Sequence, residues 1–180
     1  AGLVRLGIVN ERGKLLRREE LEAGAAIPAV PPAYADRLII RDGAAAFLVE
    51  EESRTLHGRP IFLTQQDVRA VQLAKGAMAA GISVLMEECG IGVSDIRRVL
   101  LAGAFGNYMD PRSACAIGLI PPELEGRVRA VGNAAGTGAR AALLSRGEYR
   151  RAEEIARKIE YIELGSHRDF TRKFAEGMRF

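Results

Sequence analysis

Tryptophan is absent from this 180-residue chain, and aromatic residues make up only 6% of it. So small a complement leaves little from which to build a base-stacking surface. Charge of one sign is lacking too: 26 Lys and Arg are interspersed with 23 Asp and Glu, for a formal net charge of +3. No large single-sign field results, which argues against nucleic acid and anionic membrane as partners. Cysteine is scarce, and Cys89 and Cys115 form no CxxC pattern. A zinc site or iron–sulfur cluster held by this chain alone therefore lacks its ligands. Both thiols read as reduced core residues of a cytoplasmic protein. No continuous apolar run reaches the ~20 residues of a membrane span, and no signal peptide is visible.

What is present suits a single folded domain over residues 1–180: 48% hydrophobic and 27% charged residues, long enough for a real core. The opening AGLVRLGIVNERGKLL lacks Met and already shows helix-like spacing at Leu3, Leu6 and Val9, as expected of a piece of a longer protein. A proline-rich connector, AIPAVPPAYADR, follows. RLIIRDGAAAFLVEE reads as a β-hairpin turning at Asp42-Gly43, with RPIFLT as a third strand.

At Thr64 the period changes. Thr64-Gln65-Gln66-Asp67 resembles a capping box, and Val68, Val71, Lys75, Met78, Ile82, Leu85 and Cys89 recur at helical steps up to Gly90. Gly76 and Gly81 weaken that helix by ~1 kcal/mol each, so a backbone or ligand is expected close by. IRRVLLAG predicts a strand covered on both faces. Asp110 and Pro111 then open a brief helix. GRVRAVG predicts another strand, NAAGTGARAALLS a small-residue helix, and YRRAEEIARKIEYIEL a helix running into a strand. SHRDFTRKFAEGMRF closes the chain as a helix capped by Ser166. The alternation over residues 96–146 indicates parallel α/β topology.

Two strand–helix turns share one design: Gly103-Ala104-Phe105-Gly106-Asn107 and Gly132-Asn133-Ala134-Ala135-Gly136-Thr137-Gly138. Glycine lets a flat base or a phosphate touch the main chain at the carboxyl ends of strands, where helix N-termini also attract anions. Neither turn is GxGxxG or GxxxxGK[ST]. Tight packing alone also explains such turns. His57 and His167 stand apart from each other and from the cysteines, so no metal site is expected. RGEYRRAEEIARK alternates charges at helical spacing, as a solvated face would; docking to an acidic partner is the second reading.

DIRRVLLAGAFGNYMDPRSACAIGLIP, with LTQQDVRAVQLAKGAMAAGISVLM before it and VGNAAGTGARAALLS after it, resembles the C-terminal domain of the reductive activators of corrinoid proteins. YIELGSHRDFTRKFAEGMRF fits the same family, and the likeness spans most of residues 37–180. It implies an RNase H-like, actin-like ATPase subdomain: a mixed sheet with helices on both faces, plus a small β-hairpin region, forming the second half of such a domain. It also implies ATP with Mg²⁺, a corrinoid-protein partner, and a ferredoxin-like [2Fe–2S] domain outside this chain. The activity implied is ATP-supported reduction of Co(II) corrinoid to Co(I), with this chain inactive alone. A homodimer is left open.

By the same resemblance, Gly103, Ala104, Phe105, Gly106 and Asn107 correspond to an adenosine motif, loosely because Ala104 replaces a glycine. Phe105 would stack on adenine or fill the core. Gln72 and Lys75 would form the far side of the pocket, Lys75 alternatively being a snorkelling surface residue. Gly132 and Asn133 would meet the nucleotide, or Asn133 would cap its helix. No catalytic residue is identifiable, since Asp42-Gly43 lacks the setting of a phosphate-binding motif. Two rival readings are a docking module with a vestigial pocket and a small-molecule kinase fragment of the same superfamily.

Overall fold

The computed structural model describes residues 1–24, 30–103 and 108–180. The segment 25–29 of the proline-rich connector and Ala104, Phe105, Gly106 and Asn107 lie outside the described residues. The first part of the chain holds three short helices, α1 (Gly2–Arg5), α2 (Arg18–Glu22) and α3 (Pro32–Ala35), then strands β1 (Leu38–Arg41), β2 (Ala44–Glu50) and β3 (Ile61–Thr64). β1 and β2 are antiparallel, turning through Asp42 (φ 50°) and Gly43 (φ 76°). Both turn residues are left-handed, which matches the twist of a hairpin and explains Asp-Gly there. β3 pairs antiparallel with β2, so the hairpin and third strand expected from the sequence are both present.

Helix α4 (Gln65–Glu88) starts at the capping box. The Asp67 carboxylate accepts from the Thr64 amide at 2.8 Å and its hydroxyl at 2.7 Å, and Thr64 Oγ1 accepts from the Asp67 amide at 3.3 Å. By length and mean hydropathy of 1.2 this helix matches a membrane span, yet it lies within a globular fold and buries two polar side chains. Its buried stripe differs from the one read in the sequence. Val68, Gln72, Lys75, Gly76, Ala80, Gly81 and Val84 face inward, while Val71, Met78 and Leu85 are exposed. The helix is apolar or small nearly all round, so periodicity alone left its inner face undetermined. The neighbour chose it. Helix α8 (Phe170–Gly177) crosses so closely that a β-carbon on Gly76 would stand 3.1 Å from the Phe174 carbonyl oxygen, and one on Gly177 3.1 Å from that of Gly76. The backbone approach expected from Gly76 is therefore α8.

Beyond α4 come β4 (Val99–Ala102), α5 (Pro111–Ala116, capped by Asp110), β5 (Val128–Gly132), α6 (Ala134–Leu144) and α7 (Arg146–Ala156). β4 and β5 pair in parallel. Val128 lies within a cluster with Cys115, Leu119, Ile120 and Leu124, and Val99 and Leu101 pack against it. A separate core gathers Ile8, Leu15, Leu38, Phe47 and Val68, with Phe180 against it.

Several expectations are corrected. β4 is not covered on both faces: Leu100 is 58% exposed, because among the described residues β4 has only β5 as a neighbour. Residues 159–163 form no assigned strand. Ser166 does not cap α8; it sits in a 3-10 turn and its hydroxyl donates to the Glu163 carbonyl, while Asp169 occupies the cap position and its carboxylate accepts from Arg172 in place of a helix amide. Cys115 is buried, and burial first of all raises its thiol pKa, but Cys89 is exposed. It follows the last turn of α4 on its outer side. His57 is exposed, and His167 Nε2 lies 3.2 Å from Glu88 Oε1.

Candidate functional site

The parallel register pairs Ala102 with Gly132, after an irregularity between Leu101 and Ala102. Both glycine turns therefore leave from the same end of adjacent strands. Gly103 has φ +75° and Gly132 φ +61°, conformations that L side chains resist. A β-carbon on Gly103 would meet no atom of the described residues within 4 Å. The glycine is required by its backbone angle.

Asn133 caps α6. Its Oδ1 accepts from the Gly136 amide at 2.9 Å, and its carbonyl accepts the Thr137 hydroxyl at 3.0 Å. Gly136 is needed for this, since a β-carbon would stand 2.6 Å from Asn133 Nδ2. The remaining orphan amides of the first α6 turn lie beside Gly132, with the positive end of an 11-residue helix dipole.

Gln72 and Lys75 belong to a different part of the molecule. Gln72, 3% exposed, donates from Nε2 to the Met178 carbonyl at 2.8 Å and to the Arg12 carbonyl at 3.2 Å; its Oε1 accepts from Arg69 at 2.8 Å. Gly13 stands so near that any β-carbon would collide with the Gln72 amide. Lys75, 1% exposed, donates to the Arg179 carbonyl and lies 5.1 Å from the centre of the Phe180 ring. It is not a snorkelling surface lysine. Burial lowers its pKa, and a carbonyl and an aromatic face compensate its charge where no carboxylate does. These two side chains tie the C-terminal tail and the Asn10–Lys14 turn to α4. Sequence reading missed that role because its partners are main-chain carbonyls more than 50 residues away.

The structure thus brings Gly103, Gly132 and Asn133 together, and gives Gln72 and Lys75 main-chain partners elsewhere. An apolar cavity of about 460 Å³ opens between α1, the hairpin, α4 and Phe180. Its one carboxylate, Asp67, is engaged in the capping box. A cavity without convergent free polar groups is a poor fit to a charged nucleotide. Among the described residues no three metal-ligating side chains cluster.

Comparisons with known proteins bear on the fold and the family. The profile described as the C-terminal domain of RACo, the ASKHA domain, matches residues 3–180. The corrinoid activation enzyme RamQ of Eubacterium limosum is 36% identical over 181 residues, covering 100% of this chain and 29% of that relative. A solved structure described as a reductive activator for corrinoid, iron-sulfur protein superposes with a TM-score of 0.82 at 29% identity, over 98% of this chain and 26% of that one. The chain therefore spans less than a third of either relative's length. Its mixed α/β architecture is the actin-like ASKHA fold, and the chain belongs to the family of C-terminal ASKHA domains of corrinoid reductive activators.

Proposed function

We propose that this domain supplies one wall of an adenine-nucleotide site in a reductive activator. The activator uses ATP to support one-electron reduction of a corrinoid protein from Co(II) to Co(I), the electron coming from a [2Fe–2S] domain elsewhere in the polypeptide. One observation carries the reading: the register of Ala102 on Gly132 sets Gly103 and Gly132, both at left-handed backbone angles, side by side at parallel strand ends. That arrangement suits a planar base and ribose against main chain. Gly103 and Gly132 would receive the base, with the α6 N-terminus facing its polar edge. Gln72 and Lys75 act at one remove, holding the tail against α4.

The described residues do not fit Mg²⁺ or a triphosphate, having no clustered carboxylates. Cys89 and Cys115, one exposed and one buried, likewise do not fit a [2Fe–2S] cluster. Hydrolysis and electron delivery therefore belong to other parts of the protein. What this chain contributes is differential affinity: nucleotide must favour one arrangement of the domain over another for any docking surface to change.

Isothermal titration of the full-length protein with Mg·ATP tests this. Heat that disappears in Gly103→Val supports the site, and unchanged heat in that variant removes it. The absence of described metal ligands favours a second reading, a docking module with a vestigial pocket. In that case heat would appear only when the corrinoid protein is added.

A further inference from the structure

Three features of residues 99–164 leave apolar surface without a protein neighbour. Parallel sheets occur with both faces covered, yet the outer face of the β4–β5 pair shows Leu100 to solvent. Helix α6, AAGTGARAALL, is apolar or small almost all round, the pattern of an interior helix. It has no buried residue, and Leu143 is 85% exposed. After α7, residues 159–163 carry no regular structure, and their main-chain amides donate to no acceptor among the described residues.

This last segment has the alternation of a strand. Ile159 and Tyr161 point outward, Tyr161 being 82% exposed. Ile162 and Leu164 take the other side and are partly buried, and the Leu164 Cδ1 lies 3.3 Å from where a β-carbon on Gly81 would stand. Glu163 has extended angles, φ −78° and ψ 97°. Ile159 and Tyr161 on one side and Ile162 on the other, with Glu160 and Glu163 among them and amides that meet no acceptor among the described residues, describe an extended segment whose neighbouring strand is missing.

We propose that residues 159–163 are a β-strand in the intact activator, paired in cis with a strand from the part of the polypeptide outside this domain. The length of the relatives argues for an occupant from the same chain, since more than two thirds of each lies beyond the matched region. The inserted strand offers branched aliphatic side chains to Ile159 and Tyr161, and its backbone takes up the free amides, as in strand addition generally. The inference deepens the half-domain reading and is independent of nucleotide binding.

Hydrogen exchange on the full-length activator, without nucleotide, tests it. The amides of 159–163 are expected to exchange on the order of 100-fold slower than in unfolded chain, unchanged on tenfold dilution. Exchange at the unfolded rate overturns the pairing. Protection lost on dilution assigns the partner strand to a second copy and overturns the cis occupant. Tyr161→Asp gives a second readout: a lowered melting temperature is expected, and an unaltered one counts against burial. Slow exchange in a protein that gives no heat with Mg·ATP would remove the nucleotide reading and leave this one standing.

Discussion

The α4–α8 half and the β4–β5–α6–α7 half of this molecule treat polar and apolar groups in opposite ways. Around α4 even a lysine and a glutamine are buried, each answered by main-chain carbonyls, and two glycines let backbones touch. Around α6 and α7 no side chain is buried, although leucines are plentiful. A region that closes its own hydrogen bonds can stand on its own packing. A region that leaves leucine in water is one face of something larger. The glycine turns sit on that second, open region, where a ligand or another chain has access.

The sharpest way to break this contrast is Gly76→Val. The new side chain meets the Phe174 carbonyl and the Met178 side chain, and overpacking of this kind costs about 3 kcal/mol. Denaturant unfolding should show it, and a neutral result would mean that α4 and α8 do not approach as described. Next in size is Gln72→Leu. It strands the Met178 carbonyl without its donor and leaves the Arg12 carbonyl only the longer bond from Arg69, at a cost of about 2 kcal/mol. Nucleotide affinity of the full-length protein should stay as it was; a loss would return Gln72 to the site.

Gly103→Val sharpens the other side. A β-branched residue at a left-handed backbone angle costs about 1–2 kcal/mol, and with no atom of the described residues within 4 Å of its β-carbon, the fold should survive. Circular dichroism should be unchanged while Mg·ATP affinity falls.

The smallest effect is that of pH on the α4 cap. Hydrogen bonds from the Thr64 side chain and then its amide hold the Asp67 carboxyl below its usual range. The unfolded chain binds the proton more readily, so the stabilisation is complete above the ordinary carboxylate pKa and is lost as pH falls through the lowered value. The site is largely solvated, and the contribution is under about 1 kcal/mol. Asp67→Asn should flatten the acid limb of a stability–pH curve, leaving a smaller gap from the parent below pH ~3 than at neutrality.

Much of the fold was legible where the cause is local. Asp42-Gly43 specifies its own turn, and Thr64 and Asp67 cap each other across three residues. Pro111 and Asp110 open α5 in the same self-contained way. The paired glycine turns were legible as strand–helix punctuation. Their adjacency was not, because it depends on a parallel register between strands nearly 30 residues apart. Lys75 was read toward a nucleotide by family resemblance, and its place in the apolar stripe left a snorkelling surface lysine as the alternative. Its actual partner is the Arg179 carbonyl, which no pattern in the sequence marks. Cys89 was placed in the core by spacing, but that spacing begins on the inner face at Val68 and ends on the exposed side with Leu85 and Cys89.

The sequence by itself determined most of the elements, the caps at Thr64, Asp110 and Asn133, the Asp42-Gly43 turn and the membership of the family, since each rests on residues a few positions apart or on motifs in order. Only the tertiary structure decided which stripe of α4 is buried, what Gln72 and Lys75 hold, and which apolar surface has no neighbour. Those are choices between near-equivalent faces, settled by how closely another backbone can approach, and closeness is a property of the packed chain.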